Sequence, residues 1–385
     1  RRQGRIVNIA SVVGKEGNLI NFFIKNDPRC CNTSGLLKQF SGMKIISAKV
    51  TKIWVIAMCL FTAHSSYAQS GEEESIEFSG SVDTYFRTNL SGDKFDAPAS
   101  SFANLNGFAL GMVNIKAEQS TAQGGFVADL VFGPRGTDAV FASPYYSATG
   151  NIVNQLYAYW IASEKLTLTL GNFNTFLGYE VISPVDNFHY STSYLFSYGP
   201  FSHTGLKADY AISDEQSIMF AVMNPTDFTE MNDVDLYTYG LQYGFGGTYL
   251  NVLYGKQAVD ANATFQVDLT GGYDLSDAIS LGVNASYNET MEAGGFYGAA
   301  LYPAVTVKES VDLGVRVEYF KELASGGVAY GAGNSVIDAT LTASYTTTDL
   351  RLIAELRLDQ SSSAVFDSMT ADQLSSFVLA AVYSF

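Results

Sequence analysis

Residues 311–319 read VDLGVRVEY, and apolar and polar side chains alternate along them. Apolar residues occupy the odd positions from Val311 to Tyr319, and the even positions include Asp312, Arg316 and Glu318. A period of two predicts a β-strand with one apolar face and one polar face. In a soluble sandwich the apolar face packs inward, whereas in a membrane barrel it meets lipid and the polar face lines a lumen. The rest of the sequence has to decide between these two folds.

The same alternation recurs up to residue 385, in about 16 candidate strands. No stretch after residue 68 approaches 18 consecutive apolar residues, which excludes a helical membrane protein. An even strand number fits bacterial barrels, and 16 strands would enclose an aqueous channel. We therefore predict an all-β fold, a single transmembrane antiparallel β-barrel of about 16 strands (14–18 allowed) over residues 69–385. Hairpin ends alternate, so we expect short turns on the periplasmic side and long loops outside.

Two targeting patterns favour the barrel over the sandwich. Residues 43–68 combine a basic amino-terminal region, a nine-residue apolar run and small residues before the expected cleavage site. This combination is typical of a secretory signal peptide. At the other end, alternation continues to the last residue and resembles the carboxy-terminal signal by which outer-membrane barrels are recognised for insertion. That predicted signal consists of Phe377, Leu379, Ala381, Tyr383 and Phe385.

Residues 1–42 precede the predicted signal peptide. Within them, residues 1–17 resemble the strand and active-site serine region of short-chain dehydrogenases, with Ser11 at the position of the serine. The Gly-rich loop and the Tyr-x-x-x-Lys motif of that family are missing from the segment. We therefore interpret residues 1–42 as a non-native extension or the result of a mis-assigned start, and expect no function from them.

Charge and cysteine content exclude several classes of function. The 385 residues include 22 Lys and Arg against 38 Asp and Glu, and the whole acidic excess lies after residue 68, where 12 basic residues stand against 36 acidic ones. Nucleic-acid binding needs clustered basic residues and is therefore excluded. All three cysteines precede residue 69, so the predicted barrel can carry no disulfide, thiolate metal site or cysteine nucleophile.

Residues 155–225 carry the most distinctive sequence. They include QLYAYW at 155–160, LGNFNTFLGYEVI at 170–182, NFHYSTS at 187–193, GPFSHTG at 199–205 and NP at 224–225. In this order the motifs resemble the β-barrel porin-2 family of OmpL-like outer-membrane porins. The alternating pattern extends the similarity over about residues 75–385. The resemblance implies an outer-membrane barrel with a porin-type role and does not specify a solute.

Residues 175–202 form a long, non-periodic segment between two predicted strands. Such insertions are usually functional or disordered, and the many aromatic residues in this one argue against disorder. We predict that it folds against the barrel wall or into the lumen and narrows the channel. Carboxylates that line a pore favour cations, so the acidic composition predicts a weak cation preference. The candidate pore residues are Tyr179, Glu180, Asp186, His189, Arg316, Arg351 and Arg357.

Two histidines and nearby serines in the 175–205 region raise the alternative of a catalytic site. His189 and His203 are the only histidines after the predicted signal peptide, and Ser191 or Ser193 could complete a hydrolase triad. No nucleophile elbow accompanies them, and two histidines without a patterned third ligand indicate a metal site only weakly. We therefore predict no enzymatic activity, no cofactor and no metal.

The sequence thus predicts a porin of the cell outer membrane, which lets small hydrophilic solutes or ions diffuse passively. The alternative is a non-conducting structural or adhesive surface barrel plugged by residues 175–202. Expected partners are outer-membrane lipid and lipopolysaccharide, the barrel-insertion machinery and small hydrophilic solutes. A homotrimer is expected by analogy with other porins.

Overall fold

The computed structural model describes residues 75–140, 152–229, 232 and 235–385. The predicted signal peptide at 43–68 and the extension at 1–42 lie outside these residues, so both stay predictions.

Sixteen antiparallel strands follow one another around a closed barrel, which confirms the predicted fold class and strand number. Two short helices, α1 (Pro134–Ala139) and α2 (Tyr194–Tyr198), lie in connections between strands. In the part of the chain that the structure describes, neither helix has the length and apolarity needed to cross a membrane. The strands are β1 (Glu77–Asn89), β2 (Gly107–Thr121), β3 (Gly124–Phe132), β4 (Val153–Ser163), β5 (Leu166–Asn174), β6 (Ser202–Ala211), β7 (Gln216–Met223), β8 (Thr238–Phe245), β9 (Thr248–Lys256), β10 (Ala263–Ser276), β11 (Ile279–Thr290), β12 (Gly294–Lys308), β13 (Val311–Glu322), β14 (Ser335–Thr346), β15 (Leu350–Ser361) and β16 (Gln373–Ser384).

The barrel closes where the first strand meets the last. β1 pairs with β16, and Gly80 and Phe385 exchange two backbone hydrogen bonds of 2.9 and 3.0 Å. Every strand therefore has two neighbours, and no sheet edge is left with unpaired N–H and C=O groups. A β-sheet can span a bilayer only in this closed form, because lipid offers no hydrogen-bond partners.

The two faces of each strand have the orientation that a membrane barrel requires. On β13, Val317 is 48% exposed on the outer face, whereas Arg316 and Glu318 are fully buried on the inner face. Leu379 and Tyr383 of the predicted insertion signal are exposed on the outer face of β16, and Phe385, the residue after Ser384 at its end, is exposed as well. Apolar side chains thus point toward lipid, and polar and charged ones point into the barrel.

Connections of two kinds alternate along the chain. At one end, which we call the short-turn end, residues such as 164–165, 246–247 and 309–310 join neighbouring strands. The other end, the loop end, carries longer connections, among them 90–106, 175–201 and 323–334. The longest of these connections, residues 175–201, enters the interior of the barrel.

Candidate functional site in the barrel lumen

The connection between β5 and β6, residues 175–201, folds into the barrel, and we call it the inserted segment. Its two ends meet at the loop end of the wall, where the Thr175 N–H donates to the Phe201 carbonyl at 2.9 Å. Further in, the Gly178 N–H donates to the Asp268 carboxylate of β10 at 2.9 Å. The chain therefore crosses from β5 to the far side of the barrel.

The inserted segment then approaches the short-turn end. Arg351, the second residue of β15, donates to the carbonyls of Asn187 and Phe188 at 2.7 and 2.6 Å. Gly314 makes room for the Phe188 ring, because a Cβ at position 314 would lie 2.3 Å from it. Gly282 does the same for the ring of Tyr179, at 2.2 Å. Only glycine permits contacts this close between a barrel wall and aromatic side chains.

Wall carboxylates bind the backbone of the returning half of the segment. Glu355 accepts from the Tyr190 N–H at 3.0 Å, and Glu318 accepts from the N–H groups of Tyr194 and Leu195 at 2.8 and 2.7 Å. The last two groups belong to the first turn of α2, whose amide hydrogens have no partner within the helix. Ser193 caps this helix by accepting from Phe196.

A buried ion-pair network fixes the middle of the inserted segment. Arg316 of β13 donates to Glu180 of the segment at 2.9 Å and to Asp338 of β14 at 2.8 Å. Arg357 of β15 pairs with Asp359 at 2.8 Å and lies 3.5 Å from Asp338. Both arginines also donate to segment carbonyls, those of Ser191 and Thr192. Charges removed from water in this way require such close pairing, since an unpaired one would be strongly destabilising.

His189 lies in the same buried interface. Its Nδ1 is 2.7 Å from the Thr342 hydroxyl of β14. Burial lowers the pKa of His189 well below its ordinary value, and the guanidinium groups of Arg316 and Arg351 lower it further. The imidazole is therefore neutral at physiological pH.

The predicted pore residues separate into two groups. Glu180, His189, Arg316 and Arg357 are buried at the interface between segment and wall, and Arg351 is half-buried beside them. Tyr179 and Asp186 lie on the exposed side of the segment. The Tyr179 ring makes a tilted contact with Tyr302 of β12, with centroids 4.7 Å apart. The structure thus places five of these side chains at the interface between segment and wall, holds Tyr179 partly exposed against the wall, and leaves Asp186 exposed.

The hydrolase arrangement considered above is not formed among the described residues. His203 contacts the hydroxyl of Thr175 at 3.0 Å, on the opposite side of the barrel from Thr342, the partner of His189. The Ser191 hydroxyl accepts from Arg316, and the Ser193 hydroxyl donates to Glu180. A nucleophile–base pair is therefore missing from this set of residues.

The sequence did not predict that Arg135 also binds the inserted segment. Arg135, at the start of α1, donates to the carbonyls of Ile182 and Tyr190 at 2.9 and 3.2 Å. Its guanidinium lies 4.5 Å from the centre of the Phe102 ring, a cation–π contact. Arg135 belongs to a long loop without periodicity, so no sequence signal placed it inside the barrel.

A cleft of about 420 Å³ runs along the inner faces of β4, β5 and β6. Its lining extends over almost the whole of β5, from Thr167 near the short-turn end to Asn174 at the loop end. The residues that line it are Gln155, Tyr157, Tyr159, Thr167, Thr169, Phe173, Asn174, Lys207 and Asp209.

Comparison with protein families matches residues 75–385 to the beta-barrel porin-2, OmpL-like family. The chain belongs to this family. The resemblance of residues 155–225 to OmpL-like porins is thereby confirmed, and this porin-like barrel resides in the outer membrane. A comparison with curated proteins gave no match.

Solved structures show the same fold at low sequence identity. The chain is similar to in-vitro folded OmpT, an outer membrane protein of Vibrio cholerae, at 13% identity and a TM-score of 0.51, over 83% of this chain and 100% of that chain. It is also similar to a loop L8 deletion mutant of OmpT, at 14% identity and a TM-score of 0.50, over 81% of this chain and 99% of that chain. Both similarities concern the barrel architecture alone.

Proposed function

We propose that the protein is a passive diffusion channel for small hydrophilic solutes and ions, and that the cleft along β4–β6 is its path. The observation that carries this proposal is the division of the lumen. The inserted segment contacts β8 and β10–β15, and it also reaches β1 through the Tyr190–Asp83 hydrogen bond and β2 and β3 through a buried apolar cluster. Hydroxyl, amide and charged side chains on β4–β6 instead line an open cleft along nearly the full length of β5. The segment thereby narrows the lumen without filling it. No turnover chemistry is proposed.

A weak cation preference is the second part of the proposal. Asp129 of β3 accepts hydrogen bonds from the amide groups of Asn114, Asn154 and Gln155, and Gln155 lines the cleft. Asp268 is held in the same manner, by Asn251, Asn284 and the Gly178 N–H. Amide donors orient a carboxylate without neutralising it, so these groups keep the interior negative.

The rival function is a non-conducting structural or adhesive barrel. It is favoured by the buried Arg316–Glu180 contact, which keeps the inserted segment in place. Planar-bilayer recording of the purified protein separates the two functions. We expect discrete conductance steps and, in a potassium chloride gradient, a reversal potential of cation-selective sign. Absence of conductance would establish the non-conducting barrel, provided that the protein is folded. Folding is checked by the change in electrophoretic mobility on heating.

Partners follow from the barrel surface. We propose contact of the apolar band with outer-membrane lipid and lipopolysaccharide, and recognition of Phe377, Leu379, Ala381, Tyr383 and Phe385 by the insertion machinery. A homotrimer is proposed for the assembled protein.

Light scattering in detergent measures the protomer number, and a monomer would contradict the trimer. Assembly of Phe385→Ala into outer-membrane vesicles tests the terminal signal.

A further inference from the structure

Three aromatic side chains line the cleft along β4–β6. Tyr157 and Tyr159 occupy alternate positions on β4 and therefore share its inner face, while Phe173 lies on the inner face of β5. Gly125 on β3 makes room for Tyr159, because a Cβ there would lie 2.7 Å from the tyrosine hydroxyl. Aromatic rings on the wet face of a porin-like barrel, where the family pattern places polar residues, need an explanation.

Hydroxyl and amide groups surround these rings. Thr167 and Thr169 line the cleft from β5, and Gln155 and Asn174 lie toward its loop end. Each hydroxyl both donates and accepts, and each amide offers two donors and one acceptor oxygen. The cleft therefore combines apolar surface with uncharged hydrogen-bonding groups.

The charged side chains that line the cleft belong to an ion pair. Lys207 and Asp209 pair at 3.1 Å on β6, and Lys116 and Glu118 pair at 2.7 Å on β2. Each ammonium is neutralised by a carboxylate of its own strand. These pairs can still hydrogen-bond a neutral ligand but offer it no net charge, and the Asp129 carboxylate beside them is already held by three amide groups.

We propose that this cleft is a binding site for neutral polyhydroxylated solutes, namely short saccharides. A sugar ring has an apolar C–H face that packs against aromatic side chains, and hydroxyl groups at its rim that match threonine, amide and paired charged groups. The cavity of about 420 Å³ also falls within the range of about 300–1,000 Å³ of small-molecule sites. The inference rests on the proposed channel, because it names the solute class that the same cleft would pass.

Titration calorimetry on the purified barrel in detergent tests the site without requiring conduction. Maltotriose is the probe, with the dianion succinate and the zwitterion glycine betaine as probes of other charge types. We expect a saturable heat of binding for maltotriose and none for succinate or glycine betaine. The double variant Tyr157→Ser, Tyr159→Ser should weaken maltotriose binding by about tenfold, since two ring contacts are lost. Tyr157→Phe, Tyr159→Phe should retain most of the affinity.

A matched control comes from the outer face. Tyr239 and Tyr254 are exposed neighbours on β8 and β9 and face lipid, so Tyr239→Ser, Tyr254→Ser should leave maltotriose binding unchanged. Absence of maltotriose heat, preferred binding of succinate or betaine, or full affinity in the inner double serine variant would overturn the saccharide site. Silent bilayers together with maltotriose binding would overturn the channel and leave the site standing.

Discussion

Arg316 and Glu180 are 136 positions apart in the chain, and their side chains meet at 2.9 Å in the buried interior of the barrel. The contact joins the inserted segment to the wall at β13. The Glu180 carboxylate is also held by the N–H and hydroxyl of Ser193, so one acidic group connects the wall, the descending half of the segment and the cap of α2.

Glu180→Gln should loosen the inserted segment. The substitution keeps the side-chain shape but leaves Arg316 with one carboxylate instead of two, and breaking a buried ion pair costs about 3 kcal/mol. Hydrogen exchange of amides 178–196 should therefore accelerate in the folded barrel. Glu118→Gln is the matched control, because the Lys116–Glu118 pair is one-third exposed and contributes less than about 1 kcal/mol. Equal exchange in both variants would show that the ion pair does not hold the segment.

Acid should destabilise the inserted state through His189. Burial and the arginines Arg316, Arg351 and Arg357 lower its pKa, whereas a released segment would titrate near the ordinary value of about 6.5. The inserted state therefore binds fewer protons, and its stability is complete above about pH 6.5 and falls as the pH drops below that value. Amide protection factors at pH 7.5 and 5.0 measure the effect. His189→Gln should abolish this pH dependence, and an unchanged dependence would assign it to another group.

Gly282→Ala should displace Tyr179. A Cβ at position 282 would lie 2.2 Å from the tyrosine ring, so the ring must leave its tilted contact with Tyr302, at a cost of about 1 kcal/mol. Heat-induced unfolding followed by gel migration should show a lower midpoint. A Cβ at position 272 would lie 3.9 Å from the same ring, which is an ordinary contact distance, so Gly272→Ala should unfold at the same midpoint as the wild type. A lowered midpoint in Gly272→Ala as well would indicate a general effect on the strands.

Thr167→Trp should reduce single-channel conductance by at least about half, because an indole fills much of a cleft of about 420 Å³. Leu170→Trp on the outer face of the same strand is the control, since Leu170 is 65% exposed toward lipid. Interfacial and lipid-facing tryptophan is common in such barrels, so the control should fold and conduct normally. Full conductance in Thr167→Trp would place the path elsewhere in the lumen.

The sequence by itself determined the barrel. An extended strand displays alternate residues on opposite faces, so VDLGVRVEY at 311–319 separated Val317 from Arg316 and Glu318. The two targeting patterns then assigned the apolar face to lipid and the polar face to the interior. The same local rule predicted about 16 strands, whereas the ordered motifs of residues 155–225 predicted the family. The break in the alternation marked residues 175–202, which contain His189, and the alternation placed Arg316 and Arg357 on polar strand faces.

Only the tertiary structure decided what those inward residues do. The periodicity of a strand fixes the face on which a side chain lies, but it carries no information about which distant residue stands opposite. Arg316 therefore faces the segment carboxylate of Glu180 rather than open water, and Arg135 enters the interior from a loop that has no pattern at all. The cleft beside Tyr157 and Thr167 is likewise the space that the inserted segment leaves free, and its position follows from long-range packing alone.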